Sequence, residues 1–389
     1  MNVLILYENE IIPEKGGVQR VTFVLFEYLR KNYNYNVSYL STRVKSGNSS
    51  KFQFFLPTAN NITQNKLFFE ELLSERNISI VINQSGTNPL ISKYLSVPVK
   101  KNIPIVSSIH TSLLTGINNF STLYENIIKP KIILKILTNT PLRFLIKYLY
   151  RLKYFKHYTN IFRVSSMVIA LSESLIPELK FITKNKFNNL QSISNPLTIN
   201  QNLKVSKKNN KILYVGRIDN TYKRVDLLVD IWGKISNNHP NWEFNILGDG
   251  PYFDELKNRI KNENISNLNL LGSINPTKSY ETASILCLTS SSESFGLVIL
   301  EAFSYEIIPI LFNSFPLAKE IVSDEKDGLL IPPFDIGLYA EKLNYLILNE
   351  ELRLSLSKAS KEKLKKFKLE DIADKWINLI ESVVNENKL

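Results

Sequence analysis

Short apolar runs alternate with helix-length amphipathic stretches along this chain, and that alternation constrains the fold more than any single residue. Apolar runs occur at residues 3–6, 37–40, 78–82, 105–109 and 167–171. After a polar interval they resume at 211–215, 242–247, 284–288, 307–312 and 328–331. Each run is too short to be a helix of its own, and its apolar character suits a buried strand. Strands separated by helices in this way predict an α/β chain whose parallel sheets are covered on both sides.

The interval between the two series marks a boundary. A chain of 389 residues is long for one core, so two domains are expected. Pro196 ends the last element of the first half, and Ser206-Lys-Lys-Asn-Asn210 is polar and linker-like. The expected division is an N-terminal domain over 1–200, a second over 201–365, and a terminal helix over 366–389 that contains Trp376.

The stretch Ser290-Ser-Ser-Glu-Ser-Phe-Gly-Leu-Val-Ile-Leu-Glu-Ala-Phe-Ser-Tyr305 follows one of these strands. It reads as a polar loop running into a helix from about Phe295. Glu293 and Glu301 lie about two helical turns apart, roughly 12 Å, too far to act on one atom but suited to opposite ends of an extended ligand. Between them, the free N–H groups of the helix start around Gly296, Leu297 and Val298 suit an anion such as a diphosphate. Spacing alone favours a plainer alternative, an ordinary βα unit with Glu301 on a solvated face.

Other candidates sit where open α/β sheets place ligands, beyond the carboxyl ends of strands. Gly16-Gly17 occupies the first βα junction, as a phosphate-facing turn or a plain loop, and the dinucleotide fingerprint G-x-G-x-x-G is absent. His110 directly follows the fourth apolar run, as a site residue or a packing histidine. Arg217 ends the strand over 211–215, and Lys223 follows at the expected start of a helix. Two fixed cations there make an anion site that would stabilise a departing diphosphate, unless they are ordinary surface charges.

The net charge of +12 points to an acidic partner. Much of it lies in the segment 129–163, which holds Lys129, Lys131, Lys135, Arg143, Lys147, Arg151, Lys153, Lys156 and Arg163 and no acid. These are interleaved with Ile, Leu, Phe and Tyr, a pattern that suits an anionic membrane surface. A nucleic-acid partner is not expected, since nothing else resembles a nucleic-acid module; a solvated helical hairpin is the remaining alternative. No apolar stretch is long enough to span a bilayer, and the apolar N-terminus reads as a first strand of a cytoplasmic protein rather than a leader. The single cysteine, Cys287, reads as a small core residue. There is no Asp-x-Asp motif, and His110, His157 and His239 are far apart in sequence, so neither a metal nor another cofactor is expected.

Glu293-Ser-Phe-Gly, closed by Glu301-Ala, resembles the signature of the retaining glycosyltransferases of family four. The resemblance implies the GT-B fold: two Rossmann-like domains whose parallel sheets face a central cleft, with the last helix crossing back to the first domain. It implies a nucleotide-diphosphate sugar donor, UDP-linked in preference to GDP-mannose. It also implies a glycan or lipid-linked acceptor, as in capsule, lipopolysaccharide or glycolipid assembly on the inner face of a cell membrane.

For the residues, it implies that Glu301 holds the ribose hydroxyls, Arg217 and Lys223 the diphosphate, and Glu293 and Phe295 the sugar hydroxyls. The N–H groups after Gly296 would share the phosphate charge. Gly17 matches the family's glycine-rich loop and His110 a histidine near the transferred sugar. The turns at 248–251 and 271–274 would lie near the nucleotide. One departure stands out: the family usually follows the diphosphate lysine with glycine, and here Arg224 follows Lys223. A catalytically silent scaffold of the same fold is the alternative function, though it would leave Glu293, Arg217 and Lys223 without a purpose.

Overall fold

The computed structural model describes residues 1–43, 52–58, 60–119, 140–199 and 208–387. Two parallel sheets organise the chain. The first is built from β1 (Asn2–Asn9), β2 (Asn36–Arg43), β3 (Gln53–Phe55), β4 (Ile80–Asn83), β5 (Ile105–Ile109), β6 (Met167–Ala170) and β7 (Leu190–Ser192). The second holds β8 (Lys211–Val215), β9 (Glu243–Leu247), β10 (Leu268–Gly272), β11 (Ile285–Leu288), β12 (Ile308–Phe312) and β13 (Leu329–Ile331). Their spatial orders are β3-β2-β1-β4-β5-β6-β7 and β10-β9-β8-β11-β12-β13. Each order reverses direction once, between β1 and β4 and between β8 and β11. Those switch points open a crevice at the carboxyl ends of the strands.

The chain divides into two compact units. One comprises Met1–Thr111, Tyr148–Thr198 and Phe367–Leu389; the other comprises Ser112–Lys147 and Ile199–Lys366. In the first, the two-residue period of β1 sends Val3 and Ile5 to one face and Leu4 and Leu6 to the other. Val3 and Ile5 pack with Leu25, Phe26 and Leu29 of the helix Gly17–Tyr33 and with Ile372, Trp376 and Ile380 of the helix Leu369–Glu386. Phe26 and Trp376 meet edge to face at 5.9 Å. The terminal helix is therefore part of the first sheet's core. Leu4 and Leu6 pack with Phe69, Leu72 and Leu73 of the helix Ile62–Glu75.

In the second unit, Tyr339 ties the sheet to the helix Ile336–Leu348: its hydroxyl accepts from Leu288 N and donates to Ile310 O at 2.6 Å. Cys287 beside it is fully buried, and burial pushes its thiol up, as for an inert core residue. Between β12 and β13 the chain forms only the short helix Ala318–Ile321.

Candidate functional site

The second sheet's switch point is framed by two loops, one after β8 and one after β11. The β8 loop is shaped by close backbone approach. Gly216 N donates to Leu247 O at 3.0 Å and Ile218 N to Asp249 O at 2.9 Å. A Cβ on Gly248 would lie 1.8 Å from Gly216 O, and its φ of 143° is unfavourable for other residues. Tyr214 donates its hydroxyl to Arg217 O at 2.8 Å. Burial, then the Glu293 and Asp219 carboxylates, raise the Tyr214 hydroxyl well above the usual tyrosine range, so it stays a donor.

Sequence reasoning placed Lys223 at a helix start, but the helix begins at Asp226. A turn wound on Asp219 intervenes. Asp219 Oδ1 accepts the N–H groups of Thr221, Tyr222 and Lys223 at 3.1, 2.6 and 3.0 Å. A carboxylate that satisfies successive N–H groups stabilises a turn in place of a helix. Arg224 closes this turn with φ 49°, in the left-handed region where glycine costs least. The arginine in place of the family's glycine is 2% exposed, with Nη2 2.9 Å from Asp226 Oδ2.

The β11 loop is fastened to this turn. Thr289 Oγ1 donates to Arg224 O at 2.8 Å, Ser291 N to Tyr222 O at 2.8 Å and Ser291 Oγ to Thr221 O at 2.7 Å. Lys223 Nζ thereby meets Glu293 Oε1 at 2.5 Å, and Ser290 Oγ donates to the same oxygen at 2.6 Å. Glu293 is 7% exposed; both contacts fall on Oε1, which leaves Oε2 without a partner among the described residues. Arg217 is 64% exposed, 3.8 Å from Asp219, so its guanidinium projects into solvent.

Gly296, at φ 88°, turns the chain into the helix Leu297–Ser304, whose start no side chain caps. The first N–H groups of that helix, at Leu297 and Val298, are therefore the available donors. The plainer alternative for this helix fails here. Glu301 is not on a solvated face: it is 3% exposed and accepts from the Tyr280 hydroxyl at 2.7 Å. Tyr280 in turn stacks on Tyr305, 5.3 Å between ring centroids. Phe295, next to the start of this helix, is 3% exposed.

Gly17 and His110 lie in the other unit, beyond the carboxyl ends of β1 and β5 of the first sheet. Gly17 opens the helix Gly17–Tyr33, again with no side-chain cap. His110 Nε2 pairs with Gln84 Oε1 at 2.5 Å. An amide oxygen accepts, so that contact assigns the proton to Nε2. Nδ1 is buried without a partner among the described residues, and burial lowers His110 to about 4. It is a neutral imidazole at pH 7, with one acceptor nitrogen unused.

Sequence reasoning gave no role to Asp219, Ser290, Tyr280 or Gln84. Asp219 carries a local signal, an aspartate two to four residues ahead of the N–H groups it collects. Tyr280 carries none, because its partner Glu301 is reached only through the fold. Among the described residues no group of three His, Cys, Asp or Glu side chains is placed to hold a metal ion.

This architecture is the GT-B fold. A glycosyltransferase from Rickettsia africae superposes with a TM-score of 0.72 at 16% identity, over 98% of both chains. Anabaena Alr3699/HepE in complex with UDP and glucose does so with a TM-score of 0.71 at 14% identity, over 98% of this chain and all 100% of that one. Residues 197–363 match the family model of glycosyl transferases group 1. An uncharacterized glycosyltransferase of Haemophilus influenzae is 33% identical over 200 residues, 51% of this chain and 56% of its own. A GalNAc-alpha-(1->4)-GalNAc-alpha-(1->3)-diNAcBac-PP-undecaprenol alpha-1,4-N-acetyl-D-galactosaminyltransferase of Campylobacter jejuni is 32% identical over 180 residues, 46% of this chain and 50% of its own. The matches thus span about half the length of these curated relatives.

Proposed function

We propose that this chain is a retaining glycosyltransferase that moves a hexose or N-acetylhexosamine from a nucleotide-diphosphate sugar, UDP-linked by preference, to a glycan or lipid-linked acceptor in surface polysaccharide or glycolipid synthesis. The observation that carries the proposal is the second sheet's switch point. Fixed cations, an uncapped helix start and a pre-oriented carboxylate converge there within the stretch that matches the family model.

Arg217, largely exposed to solvent, and Lys223 hold the diphosphate and stabilise the charge that develops as it leaves. The N–H groups after Gly296 share that charge, and Phe295 faces the sugar hydroxyls. Glu301, held by Tyr280, takes the ribose hydroxyls. Glu293 presents Oε2 to the sugar hydroxyls while Oε1 stays on Lys223 and Ser290. The acceptor hydroxyl attacks from the leaving group's own side and passes its proton to a diphosphate oxygen. Arg217 and Lys223 supply the positive charge a metal supplies elsewhere, so transfer persists in EDTA. His110 and Gly17 serve the transferred sugar and the acceptor.

The test is direct. The chain is incubated in EDTA with UDP-N-acetylgalactosamine, UDP-N-acetylglucosamine, UDP-glucose or GDP-mannose and an undecaprenyl-diphosphate-linked saccharide, and the product linkage is read by NMR. An α-linked product from one donor supports the proposal. A β-linked product overturns retention, transfer from GDP-mannose alone overturns the UDP preference, and transfer from none of the four favours the scaffold.

The same proposal places the chain on an anionic membrane surface. The helix Thr140–Val164 carries Arg143, Lys147, Arg151, Lys153, Lys156 and Arg163, while Lys129, Lys131 and Lys135 lie outside the described residues. Phe144, Leu145, Leu149 and Leu152 recur at helical spacing and are at least half exposed. An apolar stripe edged by cations suits the headgroup level of a bilayer. Among the described residues no helix is long and apolar enough to cross a membrane. Retention by vesicles rich in anionic lipid at low salt, weakened by Lys147→Glu, supports the contact; passage of the wild type straight through contradicts it.

A further inference from the structure

The loop that carries Glu293 is held by a residue from far earlier in the chain. The segment beginning at Ser112 belongs to the compact unit of the second sheet. Near the end of its described part, Asn119 Nδ2 donates to two carbonyl oxygens, Ser291 O and Ser314 O, both at 2.6 Å. Ser291 lies in the loop after β11, two residues before Glu293, and Ser314 lies just beyond β12. Ser314 Oγ donates in turn to Ser290 O, so three successive contacts join the two loops. Asn119 is itself steadied from two sides: its N–H donates to Thr115 O at 2.9 Å, and Arg143 Nη2 donates to Asn118 O at 3.2 Å.

What Asn119 grips is the path of one short loop rather than the sheet. β11 and β12 keep their own ladder, from Ile285 opposite Ile308 to Leu288 opposite Leu311, without any contribution from it. The atoms that depend on Ser290 and Ser291 are those that set Glu293: the Ser290 hydroxyl on Oε1 and, through Ser291 and Tyr222, the turn that presents Lys223.

We infer that Asn119 is a positioning residue for the Lys223–Glu293 pair, acting through the carbonyls of Ser291 and Ser314. This rests on the glycosyltransferase reading. An amide suits the task because its two N–H donors reach two acceptors at once; aspartate, of the same shape, turns both contacts into repulsion between oxygens. Loss of the grip moves the carboxylate and ammonium by fractions of an ångström, which costs turnover far more than it costs folding.

Asn119→Ala and Asn119→Asp separate the possibilities. Wild type and variants are assayed for turnover with the donor the wild type uses among UDP-N-acetylgalactosamine, UDP-N-acetylglucosamine, UDP-glucose and GDP-mannose, and for binding of UDP and GDP by calorimetry. The inference predicts a fall in kcat of about 10- to 100-fold, larger for Asn119→Asp, with KM for the donor and nucleotide affinity within about threefold and little change in Tm. Asn119→Gln, which keeps both donors on a longer arm, recovers part of the loss. A kcat within twofold of wild type in both variants, or a loss that tracks Tm with no recovery in Asn119→Gln, overturns the inference and leaves the reading standing. A wild type that binds neither UDP nor GDP and turns over no donor overturns the reading, and the inference with it.

Discussion

The two sheets are built alike and differ in what they place at their carboxyl edges. At the second, charges are assembled and held by neighbours: Lys223 on Glu293, Arg224 on Asp226, Asp219 on three successive N–H groups. At the first, the residue singled out is a histidine kept neutral by burial, paired only with Gln84 and carrying an unused acceptor. The difference fits a division of labour: preorganised charge stabilises a diphosphate, whereas a neutral acceptor recognises hydroxyl groups without drawing them into ionic contacts.

The largest expected effect comes from breaking the charged edge. Lys223→Ala should lower transfer by about 10²- to 10³-fold, the range seen when one preorganised electrostatic contact to a developing charge is removed. Steady-state kinetics of Lys223→Ala and His110→Ala side by side would break the comparison if the histidine variant proved the more damaged.

Rigidity of the charged edge comes next. Gly248→Ala forces a Cβ against Gly216 O, so denaturant unfolding should show a loss of about 3 to 4 kcal/mol. A loss below about 1 kcal/mol would mean that the β8 loop is free to shift.

The neutral edge has its own signature. With His110 lowered from 6.5 to about 4 by burial, the unfolded chain binds more protons than the folded one between those values. The contribution to stability is therefore complete above pH 6.5, is lost as pH falls toward about 4, and levels off below that. It amounts to at most about 3 kcal/mol. Urea titrations at pH 7 and pH 4.5 should show this loss in the wild type and a much smaller one in His110→Gln; equal losses in both would assign the acid sensitivity elsewhere.

The smallest effect concerns the departure at Arg224. Arg224→Gly relieves a left-handed backbone, worth about 1 kcal/mol, but leaves the Asp226 carboxylate unpaired in a buried setting at a cost of about 3 kcal/mol or more. A net loss of about 2 kcal/mol with unchanged nucleotide affinity is expected. Stabilisation instead would show that the Arg224–Asp226 pair contributes nothing.

The same contrast explains what was legible in the sequence. Central strands such as β11 and β12 are apolar throughout because both faces are buried, and they were readable as runs. β3, β7 and β10 were not anticipated, and all three are sheet edges. β3 has three residues, β7 is only partly buried, and β10 alternates burial with exposure, so none leaves a continuous apolar signal. At the charged edge, Arg217, Lys223, Glu293 and Glu301 stood out through the motif they share with a known family. Their holders did not: Tyr280 and Asn119 act through contacts that only the fold creates, while Asp219 acts locally, on the turn that follows it.

The most direct test of the division of labour is thermal unfolding with and without UDP and GDP, on the wild type and on Glu301→Ala. A ligand that binds only the folded state at 100 times its dissociation constant stabilises it by about 2.7 kcal/mol. The prediction is a clear rise in Tm with one of the two nucleotides for the wild type, and a far smaller rise for Glu301→Ala. No shift with either nucleotide, or equal shifts in both proteins, would contradict the placement of the nucleotide at the second sheet's switch point.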